Sequence, residues 1–296
     1  MTLRVDARFG VLVLLAALGS LCLASAQSQI RVGCHPGASS TTERTKIIVT
    51  DVEFRGENPL PDSIRAQLVS DIQQSNLSVT LTEADSGWLG EVEGPIRDAI
   101  QRLGYFRCLL TTTPYLVLAE SHERHYVVSV EIEPGPQYRL GELQVSGATV
   151  FPAVQLRDQF LLRHGELFDV SKIRQGLESI GKLYGSKGYI DATPEPDTTI
   201  DEKNGIINLL IKVDEEKQYR VRMVETYGLD PETERLLKSR LEPGQVFYSV
   251  SFRNFFEEHK AALPTNASLH DAIQVHHDVR SAKVDLIVDF RPCPET

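Results

Sequence analysis

Several residue groups in this sequence have types and spacings that invite a chemical reading, and each fails on a specific point. Gly176-Leu-Glu-Ser-Ile-Gly-Lys182 has the glycine and lysine spacing of a phosphate-cradling loop, but Leu183 stands where a Mg²⁺-binding hydroxyl belongs. The stretch also lies inside a predicted helix, whereas such a loop must follow a strand. His259, His270, His276 and His277 crowd the C-terminal part. No cysteine or carboxylate framework joins them at a metal-ligand spacing, so solvent-facing imidazoles are expected. His122 and His125, expected in a hairpin turn, meet the same objection. Asp214-Glu215-Glu216 reads as a solvated charge run after a strand, because acid–base catalysis needs a cleft and shifted carboxyl pKa values. There is no Gly-x-Ser-x-Gly elbow, and Cys108 has no histidine that the sequence assigns to it. No catalytic, cofactor or metal site is expected. A metal-dependent hydrolase using the C-terminal histidines is the weaker alternative to a binding protein.

The elements that could position a binding site begin with an export signal. Arg4 and Arg8 precede the apolar run Val11–Leu23, and Ala24-Ser-Ala26 is a small-x-small cleavage site. This predicts a signal peptide over residues 1–26. The run is short for a permanent span, which needs about 20 residues; an uncleaved anchor is the competing reading. Formal net charge is −10, which disfavours nucleic acid as a partner. Export permits disulfides. Cys34, Cys108 and Cys293 follow the signal, and a Cys34–Cys108 bridge competes with three separate thiols. Asn76-Leu-Ser and Asn266-Ala-Ser match the glycosylation acceptor pattern.

Residues 27–45 read as a flexible tail, rich in Ser, Thr and Gly. A first module spans 46–137. Ile47–Phe54 is a predicted strand ending at Gly56. Asp62 is placed to cap a helix bearing Ile64, Leu68 and Ile72. A second helix is expected from Pro95, with Ile96, Ile100 and Leu103, stopping at Gly104. Tyr105–Leu110 and Tyr126–Ile132 close the module. A second module spans 138–217. Leu143 and Val145 alternate before Gly147, and Pro152 opens a helix with Leu156, Phe160 and Leu161 as its apolar face. Asp169 or Ser171 caps a helix in which Ile173, Leu177, Ile180 and Tyr184 form one stripe. Gly188 ends it, Tyr189 begins an edge strand, and Asn204-Gly205 turns into Ile206–Val213, expected as the central strand. A divergent third module spans 218–296, with a strand from Tyr219 to Val224, a helix Pro231–Leu241, and a closing hairpin of Ala272–His276 with Lys283–Phe290. Pro264 is expected to end its second helix.

The order recurs in register. Gly56, Gly147 and Gly228 follow the first strands; Gly104-Tyr-Phe parallels Gly188-Tyr-Ile; Gly165-Glu-Leu-Phe-Asp169 parallels Gly244-Gln-Val-Phe-Tyr248. Leu140–Gly147, Gly165–Asp169, Tyr184–Ile190 and Val213–Lys217 carry a resemblance to the POTRA (polypeptide-transport-associated) domain. It is specific over Tyr138–Lys217, fair over Lys46–Gln137 and weaker over Gln218–Cys293. That domain occurs in strings before the barrels of BamA-type and TamA-type outer-membrane assembly factors. The resemblance implies an α+β fold of three tandem modules, each of two helices on a three-stranded mixed sheet whose second strand lies at the edge. It also implies a periplasmic place in a Gram-negative bacterium and a role in handling or docking polypeptides. Arg291–Thr296 is no membrane strand, so insertion by this chain alone is not expected; it is expected to be associated with the outer membrane.

An exposed edge strand offers unpaired N–H and C=O groups to an incoming chain. In the second module Pro194 and Pro196 interrupt those donors. The first-module edge, Tyr105–Thr113, and the third-module edge, about Leu269–His276, contain no proline. Tyr105, Phe106, Leu109 and Leu110, with Leu269, Ile273 and Val275, are therefore the expected binding residues. The expected partners are an outer-membrane barrel protein or unfolded polypeptide clients. An envelope or cell-division scaffold on an uncleaved anchor is the alternative.

Overall fold

The computed structural model describes residues 44–75, 77–80, 87–264 and 269–291. The signal sequence, nearly all of the tail, Cys34, Cys293 and both glycosylation-pattern asparagines lie outside them. Three sheets, each mixed and each over its own hydrophobic cluster, make an α+β fold.

The first sheet has the order β2-β1-β4-β3. β1 (Arg44–Gly56) runs parallel to β4 (Glu123–Glu133), and β3 (Leu109–Ala119) pairs antiparallel with β4. A short β2 (Leu77–Thr80) adds a fourth strand to the three expected. β1 buries Ile47 and Val49, then Val52. The alternation slips by one because a bulge falls between Val49 and Asp51, where Thr50 Oγ1 donates to Tyr126 O at 3.0 Å. α1 (Asp62–Gln74) starts after Pro61, and Asp62 is its first residue rather than its cap. There its charge suits the positive end of the helix. Leu68 and Ile72 are buried, whereas Ile64 is exposed. α2 (Leu89–Arg102) begins about two turns earlier than expected, with Pro95 inside it. Burying Trp88 and Val92 with Ile96 and Ile100 outweighs the backbone bond that proline cannot donate.

The second sheet has the order β5-β7-β6. β5 (Arg139–Ser146) is parallel to β7 (Ile206–Asp214), and β6 (Thr193–Asp201) is antiparallel to it. β7 is central and buries Ile207, Leu209, Ile211 and Val213 on one face. β6 starts at Thr193, since Tyr189–Ala192 first make a turn. α3 is a single turn (Ala153–Arg157); Leu156 and Phe160 pack inward but Leu161 points out at 65% exposure. α4 (Val170–Gly185) is capped by Asp169, whose carboxylate accepts from the Ser171 and Lys172 N–H groups.

The third sheet, β8-β10-β9, repeats this topology with β8 (Arg220–Tyr227), β9 (Ile273–Asp278) and β10 (Lys283–Asp289). Its helices are α5 (Pro231–Arg240) and α6 (Ser249–Glu258). α6 stops at Glu258, ahead of Pro264. Leu269 belongs to a one-turn helix, α7 (Leu269–Ala272), and not to the edge strand.

Two junctions are built alike. Tyr138 N–H donates to Gly104 O at 2.8 Å, and Tyr219 N–H donates to Gly188 O at 2.8 Å. The preceding glutamines, Gln137 and Gln218, donate to Leu103 O and Lys187 O. Gly104 and Gly188 have φ of +88° and +86°, the left-handed region that closes a helix and turns its carbonyl outward.

Candidate functional site: the free sheet edges

β9 is the edge strand of the third sheet. α6 runs beside it because Phe252, Phe255 and Phe256 recur on one helical face and are buried under β10. Between strand and helix lies a groove of about 440 Å³. Phe247, Phe252 and Phe256 line it on the helix side, Ile273 and Val275 on the strand side, and Ile190 of the second unit closes one end. Leu269, Arg253 and Glu257 complete its wall. Val275 is 38% exposed. An apolar trough along an unpaired strand can take the alternate side chains of an added strand while its backbone bonds the edge.

β3 is the free edge of the first sheet, and the structure revises the sequence reading there. Tyr105 and Phe106 precede the strand. Tyr105 packs on the first core, and Phe106 crosses to the second unit, meeting Phe168 edge-on at 5.4 Å. Leu110 packs partly inward, while Leu109 is 63% exposed. The strand does not stop at Thr113 but continues through Pro114, opposite Val128. Past the proline, Tyr115, Leu116, Val117 and Leu118 are all exposed, with a bulge between Leu116 and Leu118. This run was missed in the sequence, although four consecutive strand-forming apolar residues were a visible signal.

β6 carries Pro194 and Pro196 opposite Val213 and Ile211. Two residues apart, they face the same way, and a proline is tolerated in a ladder where its nitrogen faces away from the partner strand. That edge offers no donor at two successive outward positions.

The other candidates do not converge. Gly176–Lys182 lies wholly within α4. A Cβ at Gly176 would stand 2.2 Å from Phe160, so the glycine serves packing. His259 stacks on Phe255 at 4.3 Å, His276 meets Gln274 Oε1 at 3.1 Å, and His277 lies 3.4 Å from Asp191. His270's side chain is outside the described residues. His125 is in β4, not in a turn. Burial pushes the Cys108 thiol up, which disfavours the thiolate.

Glu215 contradicts the reading of Asp214–Glu216 as a solvated run. Its carboxylate accepts from Thr149 N at 2.7 Å, Val150 N at 2.8 Å, Tyr184 Oη at 2.6 Å and the Thr149 hydroxyl. Burial pushes this carboxyl up, but the hydrogen bonds outweigh it and hold it at about 2. It ties the end of β7 to the Gly147–Val150 turn and to α4. Across the second junction Tyr219 donates to Asp191, and burial with that bond pushes the phenol up to about 12.

Among known proteins, residues 138–216 match the family POTRA, described as surface antigen variable number repeat. The chain is 21% identical over 236 residues, 72% of its length, to a Treponema pallidum (strain Nichols) protein provisionally named an outer membrane protein assembly factor. The match spans 26% of that longer protein. Among solved structures, POTRA modules 3–5 of BamA from Haemophilus influenzae superpose with a TM-score of 0.61 at 16% identity, over 84% of this chain and 97% of that one. Residues 138–216 are thus a POTRA domain, and the units on either side extend it into the fold of consecutive POTRA modules.

Proposed function

We propose that this chain is a non-enzymatic periplasmic scaffold. It binds extended polypeptide by strand addition and docks to an outer-membrane barrel protein during assembly or secretion. The modules are 46–137, 138–217 and 218–296, and export runs through the signal sequence 1–26. The observation that carries the reading is the apolar groove of about 440 Å³ beside the proline-free edge of β9. Backbone pairing at such an edge is largely indifferent to sequence, which suits a protein that meets many clients. The exposed run Tyr115–Leu118 on β3 is the second surface. The relative's name, outer membrane protein assembly factor, supports the setting.

A photo-crosslinker placed at Gln274, or at Leu109, in the native host should capture an outer-membrane barrel protein. Capture should be lost when the neighbouring edge residues are changed to proline. Capture of inner-membrane or division proteins alone would overturn the reading and favour the envelope scaffold.

A further inference from the structure

The second unit has a groove on the side of its sheet away from the proline-blocked β6. β5 is the other edge strand, and it is covered only in part. The Gly165–Phe168 loop bonds its first residues: Leu140 N–H donates to Glu166 O, Gly165 N–H to Leu140 O, and Phe168 N–H to Tyr138 O. The hydrogen-bonded cover ends at a bulge, where the register with β7 slips between Leu140 and Leu143, while α3 packs nearby. Here Glu142 N–H donates to Asn208 Oδ1 at 2.8 Å, and His164 Nδ1 donates to Gly141 O at 3.0 Å. A groove of about 510 Å³ opens beside Gly141–Gln144, with Arg157 and Arg163 on the opposite wall.

The third unit differs at the same place. Its bulge follows Val221 opposite Val284, as the second unit's follows Leu140 opposite Ile207. The next residues are Arg222 and Asp285, where the second unit has Gly141 and Asn208. Arg222 Nε donates to Asp285 Oδ1 at 2.7 Å, a pair that closes on itself. Glu242 stands at the place of Arg163 and takes a bond from Gln245 at 3.0 Å. The second unit thus has a glycine in place of the arginine and two arginines on its groove wall. Neither guanidinium has a carboxylate partner among the described residues. Glu142 is the one carboxylate of the lining, and it accepts from Gln144 at 2.8 Å. In a chain of net charge −10 this is a local inversion of sign.

We propose that this groove binds an acidic, extended polypeptide segment, whose carboxylates pair with Arg157 and Arg163 while its backbone lies along the uncovered part of β5. Charge complementarity names the occupant. Guanidinium forks favour carboxylates, and a strand edge favours an extended chain. An anionic membrane fits less well: the site is concave, and the acidic body around it repels a lipid surface of like charge.

The test uses the mature full-length protein and a fluorescein-labelled decapeptide alternating glutamate with threonine, against the same peptide with lysine for glutamate. The glutamate peptide should bind at least about tenfold tighter at low salt, as expected for a charge-dependent contact. R157E/R163E should weaken it about tenfold or more. Thermal melts report whether each variant is folded. R235E, a charge reversal on the exposed face of α5 outside both grooves, should leave the affinity unchanged. Absence of binding, or binding insensitive to R157E/R163E, overturns the proposal. An equal loss in R235E shows that net charge alone carries the binding and also overturns it. Binding of phosphatidylglycerol vesicles that R157E/R163E abolishes, without peptide binding, overturns it in favour of a membrane.

Discussion

At the scale of single residues, Glu215 has the largest expected effect. Its carboxylate satisfies two backbone N–H groups, the Thr149 hydroxyl and Tyr184. Glu215→Ala leaves these donors without their charged acceptor and should cost roughly 2–4 kcal/mol, measured by urea unfolding. The folded carboxyl sits at about 2, below the ordinary glutamate value of 4.5. Below about pH 4.5 the unfolded chain takes up a proton that the folded chain does not, so stability is full above that pH and falls as pH drops towards 2. Unfolding midpoints should show this decline in the wild type and a flatter one in Glu215→Gln. The left-handed glycines are not equivalent. Gly165 and Gly188 both have positive φ, but a Cβ at Gly165 meets nothing within 4 Å, while one at Gly188 comes within 2.4 Å of Val246. Gly165→Ala should cost about 1 kcal/mol of backbone strain, and Gly188→Ala clearly more, read as a larger fall in Tm.

At the scale of elements, β9 and β3 make different offers. Neighbouring N–H groups along β9 alternate between β10 and the free edge. Of Gln274→Pro and Val275→Pro, one removes an outward donor and the other a ladder bond. The outward variant should abolish client crosslinking at β9 while keeping Tm; the inward one should lower Tm. If both keep full crosslinking, strand addition at β9 is wrong. On β3, Val117 is 61% exposed, so Val117→Lys should change stability by no more than about 0.5 kcal/mol. It should still reduce client capture or self-association, measured by crosslinking and light scattering. Much of this scale was legible. Strand alternation, the Asp169 cap and the proline-bearing β6 follow from local chemistry. The start of α2, the exposure of Leu161 and the helical turn at Leu269 were not legible, because burial against neighbouring elements overrode the local proline and apolar signals.

At the scale of the whole molecule, the repeated unit brings a repeated joint. Tyr138 and Tyr219 donate their N–H groups to Gly104 and Gly188, and their hydroxyls reach Glu202 and Asp191. Arg174 pairs with Asp98 across the first joint at 3.3 Å. Both groups are partly exposed, so Arg174→Ala should cost well under 1 kcal/mol. Tyr219→Phe removes a part-buried bond to a carboxylate and should raise hydrogen exchange at the Tyr219 amide; unchanged exchange would show that the joint is held by packing alone. Composition, periodicity and glycine spacing by themselves determined that the chain repeats one α+β module and that no recognised catalytic spacing is present. Those properties are local, set by backbone conformation and by which side chains must leave water. Only the tertiary structure decided which edges stay open, that Glu215 is an anchor rather than a solvated charge, and that Arg157 and Arg163 share a groove with Gly141–Gln144. Each of these depends on residues far apart in sequence, whose meeting no local periodicity encodes.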